Sequence, residues 1–303
     1  MAEKRTYTGG RFMMDISGYN VGFLKKFSGL AMEADITTND LGASNIQKKH
    51  VSNIKWTPGK ASVGIGMGKG MYDWIKQSFD MGYAAKDGAV TAADFDYKAQ
   101  SVIEFKHAII TGVTIPKLSG DSKDGGYIDV EFDAEMVRHT NGGGQVIQAG
   151  KTGSKQKAWL CSNFAVEVGK LPCKRVASVD SFTWKCAVAQ DLVGTTREPT
   201  KHPAKLTVPD IKLAISYADH QAWADQAKAW FIDGMHLEEN EMDGAVIFMG
   251  PDQKKELGRV TLKNMGFKKF SDDDMEANSE KIKRFNVEMY VETMVFEMKE
   301  VDA

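Results

Sequence analysis

Residues 127–137 read Tyr127-Ile-Asp-Val-Glu-Phe-Asp-Ala-Glu-Met-Val137, and residues 285–293 read Phe285-Asn-Val-Glu-Met-Tyr-Val-Glu-Thr293. In the first, Ile128, Val130 and Phe132 alternate with Asp129, Glu131 and Asp133; in the second, Val287, Met289 and Val291 alternate with Glu288, Tyr290 and Glu292. Successive side chains of a strand point to opposite faces, so a period of two predicts a strand with one buried and one wet face. The two stretches also match each other, since Val130-Glu131 falls on Val287-Glu288 and Glu135 on Glu292 at a shift of 157.

The likeness extends outward. Phe12 to Gly18 (Phe-Met-Met-Asp-Ile-Ser-Gly) aligns with Phe164 to Lys170 (Phe-Ala-Val-Glu-Val-Gly-Lys) at a shift of 152. The same shift places Ser28-Gly29-Leu30 on Asp180-Ser181-Phe182, Lys49-His50 on Lys201-His202, Val63 on Ile215 and Gly82 on Gly234. Matches in constant order point to a tandem repeat, with a small insertion late in the second copy. Residues 142–157 are rich in Gly and small polar residues, a linker composition. The expected organisation is an N-terminal arm over 1–10, a first module over 11–141, a linker over 142–159 and a second module over 160–303.

Further strands are expected at 11–16, 31–37, 61–67 and 101–110, with partners at 163–168, 182–189, 210–216 and 257–264. They are short and separated by Gly, Pro, Asn and Asp, which favours an antiparallel sandwich or barrel over a parallel sheet. Each copy carries one helix. Met71, Trp74, Ile75 and Phe79 form one apolar stripe; Trp223, Ala227, Trp230 and Phe231 form the other. Trp74, Phe79, Trp223 and Trp230 are assigned to core packing. Gly82 and Gly234 are expected to end the helices in the left-handed conformation, with Asp219 or Ser216 capping the second. The fold class is thus all-β dominated: two tandem antiparallel β-barrel or sandwich modules, one short helix in each.

The composition is that of a globular chain. It has 303 residues, 42% apolar and 26% charged, with a formal net charge of −2. Near-neutrality argues against a dedicated nucleic-acid grip, which needs a basic excess. The N-terminus lacks the apolar core of a secretory signal, and no stretch reaches the apolar length of a membrane span. Cys161, Cys173 and Cys186 are odd in number and read as buried thiols.

No motif carries catalysis. In Gly64-Ile-Gly-Met-Gly-Lys-Gly70 the glycines alternate, which fits neither a phosphate loop nor a dinucleotide fingerprint. It reads instead as a strand with one bare face that another group approaches closely. His236-Leu-Glu238 lacks the cysteine pair of a zinc deaminase, and Ser52-Asn-Ile-Lys55 lacks its companion motifs. Asp272-Asp273-Asp274 lacks the alternating ligands of a calcium loop. The expectation is a non-enzyme with no metal and no cofactor.

What remains is an ordered pattern. Phe27-Ser28-Gly29-Leu30 is followed by a polar excursion ending Lys55-Trp-Thr-Pro58-Gly59, an alternating strand, the Trp74 helix, a strand near Phe105–Ile109 and the acidic strand. This order resembles the tail-tube protein family of contractile-tailed phages and phage-like injection machines. The second copy keeps it less faithfully, with Lys205-Leu-Thr-Val-Pro209-Asp at the approach to the strand. Usual members carry one such domain; this chain carries two.

The resemblance implies a structural virion protein whose modules, six to a ring, stack into a hollow tube that conducts DNA or effectors. With two modules per chain, three chains complete a pseudo-hexameric ring. Implied partners are copies of itself, then sheath, tail terminator and baseplate hub proteins; genomic DNA passes without tight binding, and no membrane is involved. The expected place is the virion tail, assembled in the host cytoplasm. Residues 1–150 hold 17 basic and 17 acidic residues, so no half is a basic grip. A bore of neutral or acidic side chains is expected, because each Lys or Arg on a phosphate adds salt-sensitive affinity. Asp129, Glu131, Asp133, Glu288 and Glu292 are candidates to line it. The excursions near 38–55 and 190–205 are expected to contact the next ring through Asn39, Asp40, Lys48, Lys49, His50, Lys201 and His202. Two alternatives stand beside this reading: a tube-initiating or hub protein of a tail or injection baseplate, and a soluble two-barrel carrier of a small ligand.

Overall fold

The computed structural model describes residues 11–22, 24–40, 42, 46–147, 159–273 and 282–299. The expected arm over 1–10 and most of the expected linker lie outside them. With 59% strand against 11% helix, the class is all-β dominated, built of curled antiparallel sheets.

The two halves share one pairing scheme. In the first, Arg11–Ile16 pairs with Lys86–Ala93, which pairs with the long strand Ala99–Ile115. Tyr127–Asp133 and Met136–Asn141 lie on the other edge of that strand; Gly59–Gly64 and Leu24–Ser28 follow in order. In the second, Phe164–Val168 pairs with Met242–Met249, then Glu256–Asp272, Arg284–Met298, Ile211–Ser216 and Val176–Val179. Both long strands run 17 residues. Each carries a positive-φ residue at the equivalent place, His107 (φ 50°) and Asn264 (φ 54°), where the pairing register shifts. Asn and His are both among the non-glycine residues that take this left-handed conformation most readily, and one such residue shifts the register as a bulge does. The insertion in the second half falls between the helix and the next strand, where Glu238–Asn240 adds a 3-10 turn.

Each half sends out one hairpin: Met32–Asp40 with Gln47–Trp56, and Phe182–Asp191 with Thr200–Thr207. Its base in the first half brings the Ser-Gly-Leu and Pro-Gly motifs together. Leu30 N donates to Thr57 O at 3.1 Å and Thr57 N to Ala31 O at 2.9 Å. Gly29 has φ 98°, and a Cβ there would lie 2.0 Å from Pro58 O, so the turn requires glycine twice over.

The cores are filled by aromatic rings. Trp74, Phe105 and Phe27 all pack on Phe132 in the first half; Trp223 and Trp230 pack on Phe267 in the second. Trp74 belongs to the helix Lys69–Phe79, and Trp223 and Trp230 to the helix His220–Phe231, so each helix presses its aromatic stripe onto sheet residues.

Four local expectations are corrected. The first helix ends at Phe79, and the residue that then takes the left-handed conformation is Met81 (φ 58°) and not Gly82; after the second helix it is Gly234 (φ 75°), as expected. Asp219 stands at the second helix's N-cap, but its carboxylate accepts from Arg175 Nη1 at 2.9 Å instead of from the helix. The Gly64–Gly70 stretch is a strand only to Gly64. It then turns into the helix, and a Cβ on Gly68 would lie 2.3 Å from Asn20 O, so the close approach is real but belongs to a turn. The start of the Gly-rich segment is not a free linker, since Val146 bridges Lys98 and Ile147 is buried.

Candidate functional site

The halves are joined by backbone and side chain alike. The strand Phe182–Asp191 of the second hairpin adds to the free edge of Ala99–Ile115, pairing Phe182 with Ile115, Thr183 with Thr114, Trp184 with Val113 and Lys185 with Gly112. Below it, Val176–Val179 pairs with Leu118–Ser119. A sheet therefore runs on from the first half into the second.

Alternation decides what each side chain of that strand does. Phe182, Trp184 and Cys186 turn inward and are buried. Trp184 stacks on Phe79 of the first helix, with ring centroids 5.1 Å apart and planes at 18°. Phe296 of the last strand packs on Phe79 and Tyr72 from the other side. Such stacked aromatic pairs add to the burial energy of the rings themselves. On the opposite face the Thr114 and Thr183 hydroxyls are 2.9 Å apart.

The polar part of the joint centres on Lys201, which is 5% exposed. Its Nζ donates to Asp133 Oδ1 at 2.5 Å and to Ala134 O at 2.8 Å, and its backbone N donates to Glu135 Oε1 at 2.7 Å. Arg138 forms a two-pronged pair with Glu198, at 2.5 and 3.1 Å. Lys117 reaches Asp180 at 3.1 Å. Lys201 is thus no loop residue facing another ring, and Asp133 is no free wall residue: each is neutralised by the other inside the joint. Sequence reasoning missed this because a lysine in a polar excursion reads as solvated.

The other residues expected at the excursions, Asn39, Asp40, Lys48, Lys49, His50 and His202, are exposed. The remaining wall candidates lie on the face away from the core, but each has a partner. Asp129 accepts from Ser62 Oγ at 2.5 Å, Glu131 pairs with Lys60, and Glu292 accepts from Asn264 Nδ2 at 2.9 Å. Glu288 meets Lys268 at 3.0 Å and Lys212 at 3.7 Å, and the hydrogen bond from Lys268 holds it below the usual carboxylate range. This face is a lattice of opposite charges rather than an acidic wall.

Residues with reactive chemistry are engaged in structure. His236 Nδ1 lies 3.1 Å from Trp230 O, and Ser52 Oγ donates to Asp35 O at 3.1 Å. No group of three or more His, Cys, Asp or Glu among the described residues is placed to hold a metal. No helix among them is long and apolar enough to cross a membrane. The three thiols are unpaired, and burial pushes Cys173 up to about 11. Only about one Cys173 in a thousand is then thiolate at pH 8, and the thiolate is the reactive form. Ellman's reagent at pH 8 is expected to modify the native chain far more slowly than the urea-unfolded chain, which reacts as a free cysteine.

No protein-family model matches the chain, and no curated protein matches it. Three similar solved structures each cover less than half of it. The sheath/tube terminator of the PVC extracellular contractile injection system, in the extended state, is 20% identical over 46% of this chain and 99% of its own, with a TM-score of 0.41. The anti-feeding prophage (AFP) tube-terminating cap is 14% identical over 45% and 88%, with a TM-score of 0.39. A chain of the PVC sheath-tube complex is 14% identical over 45% and 88%, with a TM-score of 0.37.

Proposed function

We propose that this chain is a structural subunit of a hollow tube, closing head to tail with other copies of itself into rings that stack axially. One observation carries the reading. Within the chain, a hairpin of one half extends the sheet of the other, while the equivalent hairpin and the equivalent edge are left unpaired. The hairpin Met32–Asp40 with Gln47–Trp56 is a separate two-stranded sheet, and every residue of its first strand is exposed. The end of Glu256–Asp272 beyond Met265 pairs only with Arg284–Met298. A donor at one end and an acceptor at the other make a heterologous contact, which generates closed rings or open filaments.

Geometry sets the scale of the ring. The run passes through Leu24–Ser28, Gly59–Gly64, Tyr127–Asp133 and Ala99–Ile115, then Val176–Val179, Ile211–Ser216, Arg284–Met298 and Glu256–Asp272; with four strands from each half, three chains give a sheet of about 24 strands. At a spacing of about 4.8 Å and a tilt of about 40°, its backbone wall is about 45–50 Å across. A bore of that size passes a double helix or a folded effector. Its wall would be the charge-balanced face of Lys60, Glu131, Lys212 and Glu288, neutral enough to avoid gripping phosphate. Sheath, terminator and baseplate proteins are the partners such a tube requires in a virion tail or injection particle. The carrier alternative needs an enclosed apolar cavity in each half; in the first, Trp74, Phe105 and Phe132 fill that space.

Sedimentation velocity tests this. The expected result is a concentration-dependent series reaching about 100 kDa and beyond, from a 33.4 kDa chain. A single monomer boundary from low to high micromolar concentration would overturn the reading.

A further inference from the structure

The joint inside the chain is a template for the joint between chains, and the sequence offsets convert one into the other residue by residue. This rests on the head-to-tail reading above. The hairpin and helix carry the shift of 152, the long strand that of 157. Applied to the joint just described, they replace Trp184 by Met32, Phe79 by Phe231, Lys185 by Glu33, Gly112 by Lys269, Lys201 by Lys49 and Glu135 by Glu292.

We infer that these residues meet across the boundary between two copies of this chain: Met32 of one copy on Phe231 of the next, Glu33 opposite Lys269, and Lys49 at Glu292. Three independent features favour the match. First, the apolar pair is exposed where its template is buried. Met32 and Phe231 are 61% and 50% exposed, against 1% and 2% for Trp184 and Phe79. Large apolar groups left in water at both homologous positions are what a chain cut at this boundary would show.

Second, the facing charges are complementary although the template has none. Lys185 lies opposite Gly112 within the chain; the transferred pair sets a carboxylate against an ammonium. Directly opposed opposite charges on one sheet face attract; within the chain Glu33 lies across from Lys55 and Lys269 across from Glu288, each on its other edge and without an ion-pair contact among the described residues. Third, part of the contact at the buried lysine carries over. Glu135 accepts from the backbone N–H of Lys201, and Lys49 and Glu292 stand at those two positions; Tyr290 replaces Asp133, the carboxylate that holds Lys201 Nζ. The chain-to-chain joint therefore exchanges the Lys201–Asp133 pair for Glu33 opposite Lys269, and its apolar pair is the smaller Met32 on Phe231.

The test uses the full chain. Glu33→Lys and Lys269→Glu are each expected to weaken assembly at least tenfold in the concentration needed, and the double variant to restore it. Glu33→Cys with Lys269→Cys, oxidised by copper phenanthroline in air, is expected to give a ladder of covalent multimers on denaturing gels. If the unmodified chain forms rings but charge reversal has no effect and no ladder appears, the register is wrong while the ring reading stands. If the unmodified chain never assembles, the ring reading itself fails, and this pairing with it.

Discussion

Replacing Trp184 with Ala is expected to lower the unfolding free energy by about 3–5 kcal/mol, the range for removing a large aromatic from a packed site. Trp184 is fully buried between two halves of one chain, stacked on Phe79 and next to a strand pairing of four residues. Its loss removes the ring contact and leaves a cavity that neither the helix nor the sheet can close without breaking the pairing at 112–115. Since domains are stable by only about 5–15 kcal/mol, this takes a large share of the total. Urea unfolding with hydrogen exchange at residues 112–115 checks it. Those amides are expected to lose protection first, and a cost under 1 kcal/mol with protection intact would mean that the joint does not depend on the stack. Trp223→Ala is the control. Its contacts with Phe267 and Phe285 lie within the second half, so it destabilises without opening the joint selectively.

Lys201→Met is expected to cost a similar amount, about 3–5 kcal/mol, because it leaves the Asp133 carboxylate and the Ala134 carbonyl without their buried donor. The sign reverses when both partners go. Lys201→Met with Asp133→Leu places two apolar groups of similar length in the same space and is expected to recover most of the loss. A double-mutant cycle in urea measures the coupling directly. Near-zero coupling would show that Lys201 and Asp133 act as separate solvated charges, contrary to their burial.

Much of the architecture was legible from residue patterns. The strands expected at 11–16, 163–168 and 210–216 match Arg11–Ile16, Phe164–Val168 and Ile211–Ser216, because alternation of buried and exposed side chains is written locally in a strand. The Trp74 and Trp223 stripes foretold the helices and the faces they bury. The site was less legible, for physical reasons. Strand register is fixed by cross-strand neighbours distant in sequence, so Lys60 beside Glu131 and Lys201 beside Asp133 left no local trace. An acidic face could be read from alternation; the lysines that balance it could not. The left-handed residue after the first helix is Met81 although Gly82 is the cheaper residue for that conformation, and no local signal distinguishes the two positions.

The pairing of Lys49 with Glu292 extends this lesson. Neither residue carries a signal alone, and their roles follow only from the repeat and from the occupied joint at Lys201 and Glu135. Two equivalent surfaces, one filled and one open, specify a partner more closely than either surface would by itself.

Electron microscopy of the purified assembly, viewed down its axis, tests the ring itself. Rings of six lobes with three-fold symmetry are expected, each chain supplying two adjacent lobes. Rings with six chains, closed two-fold dimers, or isolated two-lobed particles at all concentrations would contradict it.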